Sequence, residues 1–285
     1  MRLQRVLEQV YHQPWLIKPS GHYSIQSLIE RKLASVAARE SNEELEPRAG
    51  WLDDLIVSRP PPSIDDSGVA HVHVMGAVGV GFSKLEKVCG NTDTDDLLAE
   101  VHSMIDKGAT KMMAYFDSPG GMAGGTPEAA AELAKLEIPW FAYIGPGRMA
   151  CSAACYLAAG ADRIYAAPTA ETGSIGVYMP WIDRTAAYDD AGLKVKLIKN
   201  KEGDLKGAGY PGTALSPEQE AQLQHGCQTL FDMFAKFVRD NRPGEIAADT
   251  MRGQSFFAAE AKQRNLIDGV CSVEAALRTL RSFKR

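Results

Sequence analysis

"KMMAYFDSPGGMAGGTPEAAAELA", residues 111 to 134, spells out one structural unit. The apolar run from Lys111 reads as a strand, a cluster of glycines follows, and Thr126 with Pro127 has the N-cap and N1 chemistry of a helix start. Strand, glycine turn and helix in that order predict a layered α/β domain. The alternation continues outward in both directions. Further strands are expected at "VAHVHVMGAVGV" from Val69, "PWFAYI" from Pro139, "RIYAAP" from Arg163, "SIGVYM" from Ser174 and "LKVKLIK" from Leu193. Thr92 or Asp93 starts a helix ending near Gly108. Ser216, Pro217 and Gln219 make a capping-box start for a long helix to about Asn241.

Upstream, "SRPPPSIDDSG" at 58 to 68 combines a proline triplet with polar residues and reads as a linker. It divides an N-terminal extension, 1 to 67, from a main domain, 68 to 285. Within the extension Ile25, Leu28, Ile29, Leu33 and Val36 share one helical face, as expected of a helix packed on the main body. With 45% apolar residues the chain can build a globular core. Its net charge of -5 offers no cationic face, which argues against nucleic acid as a partner. The five cysteines lack CxxC spacing, so neither a disulfide framework nor a zinc site is expected, and a reducing compartment fits. No apolar run reaches the roughly 18 residues of a membrane span, and the N-terminus has no apolar leader core. A cytoplasmic protein is the expectation.

Two stretches carry chemistry. In "DSPGGMAGG", 117 to 125, the glycines free the backbone for positive φ and close approach. A P-loop would need a GK[ST] ending, which is absent; an oxyanion hole built from the amides of Gly120 and Gly121 is the other functional reading, beside a plain strand-to-helix turn. In "MACSAACYLAAGAD", 149 to 162, a helix over 153 to 159 places Ser152 at its N-terminus, where free amides and the helix dipole favour an attacking alkoxide. A simple capping serine is the alternative. A nucleophile needs a base. His225 falls inside the long helix and His71 and His73 in a strand, so a histidine triad has poor candidates; as a metal pair the two strand histidines lack a third ligand. "TGSIG" around Ser174 is not a GxSxG elbow. A lysine can serve if burial lowers its pKa from about 10.4 to 7 or 8, a shift needing roughly 4 kcal/mol. Lys199, Lys201 and Lys206 are available, and spacing does not choose among them.

"SPGG" at 118 to 121, "ACSAACYLAAGADRIYAAPTAETGSIGV" at 150 to 177, "GDLKGAGYP" at 203 to 211 and "AAEAKQRNLIDGV" at 258 to 270 together resemble the motifs of signal peptide peptidase A type endopeptidases. The resemblance implies a ClpP/crotonase-like spiral of ββα units assembled into a homo-oligomer. It implies Ser152 as nucleophile, Lys206 as general base, Ser174 orienting the lysine, and the amides of Gly120, Gly121 and Ala153 holding the oxyanion, with no metal or cofactor. An extended peptide substrate would add along a strand edge near the glycine turn, with small or apolar residues near the cut. This sequence departs from the family at Ala153 and Ala154, where two glycines are usual, at Cys155 in place of an aromatic residue, and at Asn265 in place of glycine. A membrane anchor like the family's is not expected. "QPWLIKPSGHYSIQSLIERKLA" resembles instead the leading segment of phage and prophage members. That implies a capsid maturation protease, acting on scaffold or portal proteins in the host cytoplasm or the prohead. Alternatives are a peptide-degrading cytoplasmic peptidase, a crotonase-type acyl-CoA enzyme, or an inactive scaffold-binding protein on the same fold.

Overall fold

The computed structural model describes residues 14–19, 21 and 59–285; the helix expected around Ile25 to Val36 lies outside them. The strands are β1 (Trp15–Ile17), β2 (Ser63–Ile64), β3 (Val69–Gly79), β4 (Thr92–Asp93), β5 (Lys111–Met122), β6 (Trp140–Ile144), β7 (Met149–Cys151), β8 (Arg163–Ala166), β9 (Glu171–Gly173), β10 (Ser255–Phe257) and β11 (Gly269–Val270). The α-helices are α1 (Lys84–Val88), α2 (Thr94–Asp106), α3 (Thr126–Ala134), α4 (Ala153–Ala159), α5 (Thr185–Asp190), α6 (Pro217–Asn241), α7 (Ala258–Gln263) and α8 (Val273–Ser282). Strands β3, β5, β6, β8 and β11 run parallel in one sheet, which requires crossover connections between them. The result is the layered α/β domain that the alternating strands and helices predict.

Strand β5 organises the molecule because it belongs to two sheets. Its first half pairs with β3 and β6, the last β6 partners being Phe116 and Ile144. Beyond Asp117 it parts from β6 and pairs with β7 at Ser118 and Ala150, opening a smaller sheet that continues through β9 to β10. The main core cluster includes Val72, Val74, Met112, Phe116, Trp140 and Leu157. Helix α4 is buried along its whole length, and its alanines allow that. A Cβ at Gly160, just past it, would stand 3.2 Å from the Ala134 Cβ of α3.

Several local expectations are revised. The strand-to-helix turn is shorter than the glycines suggest: β5 runs through Gly120 and Gly121 to Met122, because pairing continues on both of its edges, and the turn is confined to Ala123 to Gly125. Helix α3 is capped by Gly125 at φ 84°, and Thr126, already helical, donates its hydroxyl hydrogen bond to the Met122 carbonyl. The linker contributes Ser63 and Ile64 to a strand on β3. "SIGVYM" is not a strand, since β9 ends at Gly173 and Ser174 turns to φ 53°. "LKVKLIK" has no regular structure; Ile198 is 93% exposed, and an alternating segment needs a partner to bury its apolar side. The capping box at Ser216 is present in full, and Asn265 takes the left-handed conformation, φ 60°, expected of it at a helix end.

Candidate active site

Strand β7 leads into α4 through Ser152. To turn from one to the other without a gap, Ser152 adopts φ 55° and ψ −116°, a conformation that L-residues hold only under constraint. The constraint is visible: its N–H donates to the Gly173 carbonyl at 2.8 Å, and its carbonyl accepts from the Tyr156 N–H at 2.9 Å. The hydroxyl is aimed into the interior, 1% exposed, and among the described residues Oγ has no hydrogen-bond partner. The sequence offered capping as the alternative role; the hydroxyl caps nothing. Next to it, the Ala153 N–H at the first turn of α4 carries no hydrogen bond among the described residues.

Ser174 is brought alongside by register. Cys151 and Gly173 are partners in parallel strands, so Ser152 and Ser174 leave the small sheet side by side. Ser174 is buried, 6% exposed, and its N–H is held by the Gln254 carbonyl at 2.7 Å. Gly120 closes the site from β5. At φ 109° it is open to glycine alone, and a Cβ there would lie 2.8 Å from the Ser152 Cβ and 2.2 Å from the Leu16 carbonyl oxygen. Its N–H donates to Ser118 Oγ at 3.2 Å, a partner sequence reading missed. Gly121 is set one residue further, opposite Leu16 of β1 and Val78 of β3; a Cβ there would be 1.7 Å from the Val78 carbonyl.

The neighbouring thiols are excluded as nucleophiles. Burial pushes Cys151 up to about 12 and raises Cys155 as well, so both stay protonated. His225 is exposed on α6. The strand histidines have structural partners: His71 Nδ1 meets the Tyr115 hydroxyl at 2.8 Å, and the His73 ring stacks on Tyr115 at 5.0 Å. Among the described residues no cluster of three or more His, Cys, Asp or Glu could hold a metal.

The three candidate lysines sit on an exposed loop. Lys199 donates to the Asp204 carbonyl, Lys201 is exposed, and Lys206, also exposed, makes no side-chain hydrogen bond or ion pair among the described residues. Within this single chain the site therefore contains Ser152, Ser174, Gly120 and Ala153, but not the Lys206 amine. A different lysine, Lys18, approaches from β1; its Nζ binds Glu171 at 2.6 Å and its charge is felt at Cys151. Beside the site a groove of about 460 Å³ runs past Ile17, Ser174, Val177, Cys227 and Phe231.

A strained serine at the head of a buried helix, its hydroxyl uncommitted and a free amide beside it, is the arrangement of a serine-type hydrolase. The chain belongs to peptidase family S49, whose model matches residues 132–285. It is 28% identical over 185 residues to an Enterococcus faecium protein named as a signal peptide peptidase SppA, covering 63% of this chain and 53% of that one. It is 29% identical over 173 residues to the capsid assembly protease C of Escherichia phage lambda, covering 60% and 39%. The chain thus spans about half or less of the length of these relatives. A solved structure of a mutant 1510-N membrane-bound stomatin-specific protease with a substrate peptide covers 73% of this chain and 79% of that one, at 17% identity and TM-score 0.36. Among the described residues no helix is long and apolar enough to cross a membrane.

Proposed function

We propose that this protein is a serine endopeptidase in which Ser152 is the nucleophile, Lys206 the general base and Ser174 the residue that orients the lysine. The observation that carries this reading is the conformation of Ser152: a strained backbone and an orphan buried hydroxyl are costly for stability and useful only for chemistry. In the working state the loop holding Lys206 closes on the site, from this chain or from a second copy in a homo-oligomer, and excludes water from the amine. Neutral Lys206 takes the Ser152 proton as Oγ attacks a peptide carbonyl. The Ala153 N–H, supported by the Gly120 N–H once it turns from Ser118, stabilises the oxyanion. Lys206 then protonates the leaving amine, and a water activated by the same lysine hydrolyses the acyl-serine.

The substrate reading is capsid maturation, cleavage of scaffold or portal protein, supported by the similarity to the phage lambda capsid assembly protease. Residues 1 to 67 are then an extension on a peptidase domain of 68 to 285, in a host cytoplasm or prohead. The test is labelling with a small alkyl fluorophosphonate, followed by cleavage of a coexpressed scaffold protein read by mass spectrometry. Wild type should label at Ser152 and process; Ser152→Ala should do neither, and Lys206→Met should lose at least 100-fold in rate. Unlabelled, folded wild type would end the proposal. Processing of a scaffold that survives Ser152→Ala would assign that cleavage elsewhere.

A further inference from the structure

The edge of β5 on which a substrate would pair is already filled. Trp15, Leu16 and Ile17 form an antiparallel ladder with Met122, Gly121 and Gly120, and Lys18 N–H donates to the Pro119 carbonyl at 2.8 Å. On its other edge the same segment is held by Tyr178: the Trp15 N–H donates to the Tyr178 carbonyl at 2.8 Å and the Tyr178 N–H returns to Trp15 at 3.2 Å. β1 is thus a short strand clamped between β5 and the backbone of Tyr178, 4%, 1% and 2% exposed at its three residues. It is antiparallel to β5, whereas β3, β6 and β7 all run parallel to it.

Its distance from the nucleophile is set by one glycine. The virtual Cβ of Gly120 lies 2.8 Å from the Ser152 Cβ and 2.9 Å from the Ile17 Cα, so the backbone of β1 passes the serine with only a glycine between them. Ile17 also borders the groove beside Ser174. An extended peptide with apolar side chains, paired on β5 and passing Ser152, is what a protein substrate must look like at this site. Here the chain supplies one itself.

We propose that Pro14 to Lys18 is an autoinhibitory strand, a tethered occupant of the substrate cleft that has to leave before a protein substrate can pair with β5. The proposal rests on Ser152 being the nucleophile. The tether keeps the segment at high effective concentration, so a free peptide competes only when β1 is loosened. The Lys18 to Glu171 ion pair pins the end nearest the small sheet.

The test compares two probes on the full chain: a small alkyl fluorophosphonate, which needs only Ser152, and an extended peptidyl phosphonate, which needs the strand position. Leu16→Asp places a charge at the buried centre of β1 and should release it. The second variant keeps every residue of β1 but carries an inserted cleavage site between residues 40 and 56, so that cutting and dilution let the N-terminal piece depart. In both, the extended probe should react at least tenfold faster than with wild type, the small probe should react comparably in all forms, and a synthetic peptide of residues 13 to 19 should restore the slow rate in the cut protein. Equal extended-probe rates in wild type and in the cut, diluted protein, with the small probe still reacting, would overturn the inference and leave the nucleophile intact. Failure of the small probe in every form would remove the nucleophile and the inference with it. If Leu16→Asp does not fold, the cut protein decides alone.

Discussion

Removing the Ser152 hydroxyl should make the protein more stable. Ser152 carries two separable costs: an orphan hydroxyl that folding strips of water, and a backbone at φ 55°, ψ −116°. A buried polar group without a partner costs about 1–3 kcal/mol. A non-glycine residue in such a conformation costs about 1–3 kcal/mol more. Ser152→Ala removes the first cost and keeps the second, so about 2 kcal/mol of stabilisation is expected. At about 2–4 °C per kcal/mol for a domain near this size, the melting temperature should rise by about 4–8 °C. Ser152→Gly also relaxes the backbone, against about 0.5–1 kcal/mol for the greater freedom of glycine in the unfolded chain. It should therefore equal or exceed the alanine variant. Scanning calorimetry of the three proteins at one concentration measures both differences. If alanine and glycine both melted below serine, the hydroxyl would have a partner or the turn would be relaxed, and the reading of the site as a strained nucleophile would fail.

Other perturbations probe its surroundings. Gly120→Ala puts a methyl 2.8 Å from the Ser152 Cβ as well as 2.2 Å from the Leu16 carbonyl oxygen; Ser152 must move to make room, and a misplacement of about 1 Å costs on the order of 100-fold in labelling rate at Ser152. An unaffected rate would show that β5 does not set the site's geometry. Arg242 pairs with Asp268 in the interior behind α4 and donates to the Ala161 carbonyl at 3.2 Å. Arg242→Met should destabilise by about 3 kcal/mol by leaving the buried Asp268 carboxylate with only the Ile164 N–H and the more distant Arg163, a loss that urea denaturation measures. The hydrogen bond from Lys18 holds the Glu171 carboxyl below its ordinary value, so this pinning of β1 is complete above about pH 4.5 and is lost as pH falls through the lowered value. The exchange protection of the Trp15 to Lys18 amides, taken relative to their intrinsic rates at each pH, should fall on acidification in wild type. In Glu171→Gln it should be low already at neutral pH, and identical profiles would exclude the ion pair as an anchor.

The α/β class was legible because it rests on local signals: apolar runs of strand length separated by capped helices, of which Ser216 and Asp93 behave as their side chains dictate. Ser152 at the head of α4 was legible for the same reason. What sequence could not convey was pairing. "SPGG" reads as a turn from its glycines alone, yet those glycines exist so that β1 and β3 can close on β5 from both sides, a demand set by residues more than 40 positions away. "LKVKLIK" has a strand's alternation and, among the described residues, no strand beside it. Lys206 is singled out by its motif alone: among the described residues its amine is exposed and unpartnered, and local sequence carries no signal of what covers it.

The two sheets sharing β5 explain why Ser152, the amides of Gly120 and Ala153, and β1 meet at one place. A strand that stays in one sheet offers its edges to fixed neighbours along its whole length. β5 parts from β6 after Phe116, and the divergence exposes a fresh edge just where β7 arrives with Ser152 at its end. Glycine at 120 lets a third backbone approach there without a side chain in the way. Any extended segment reaching that edge is thereby delivered to the serine, whether it comes from another protein or from the chain's own Trp15 to Ile17. Selectivity between those two depends on how firmly the internal segment is pinned, and its pins, Glu171 and Tyr178, lie in the small sheet and just beyond it, outside the catalytic residues themselves. Weakening a pin should thus change access to the cleft without changing the intrinsic reactivity of Ser152, a separation that the two probes measure independently.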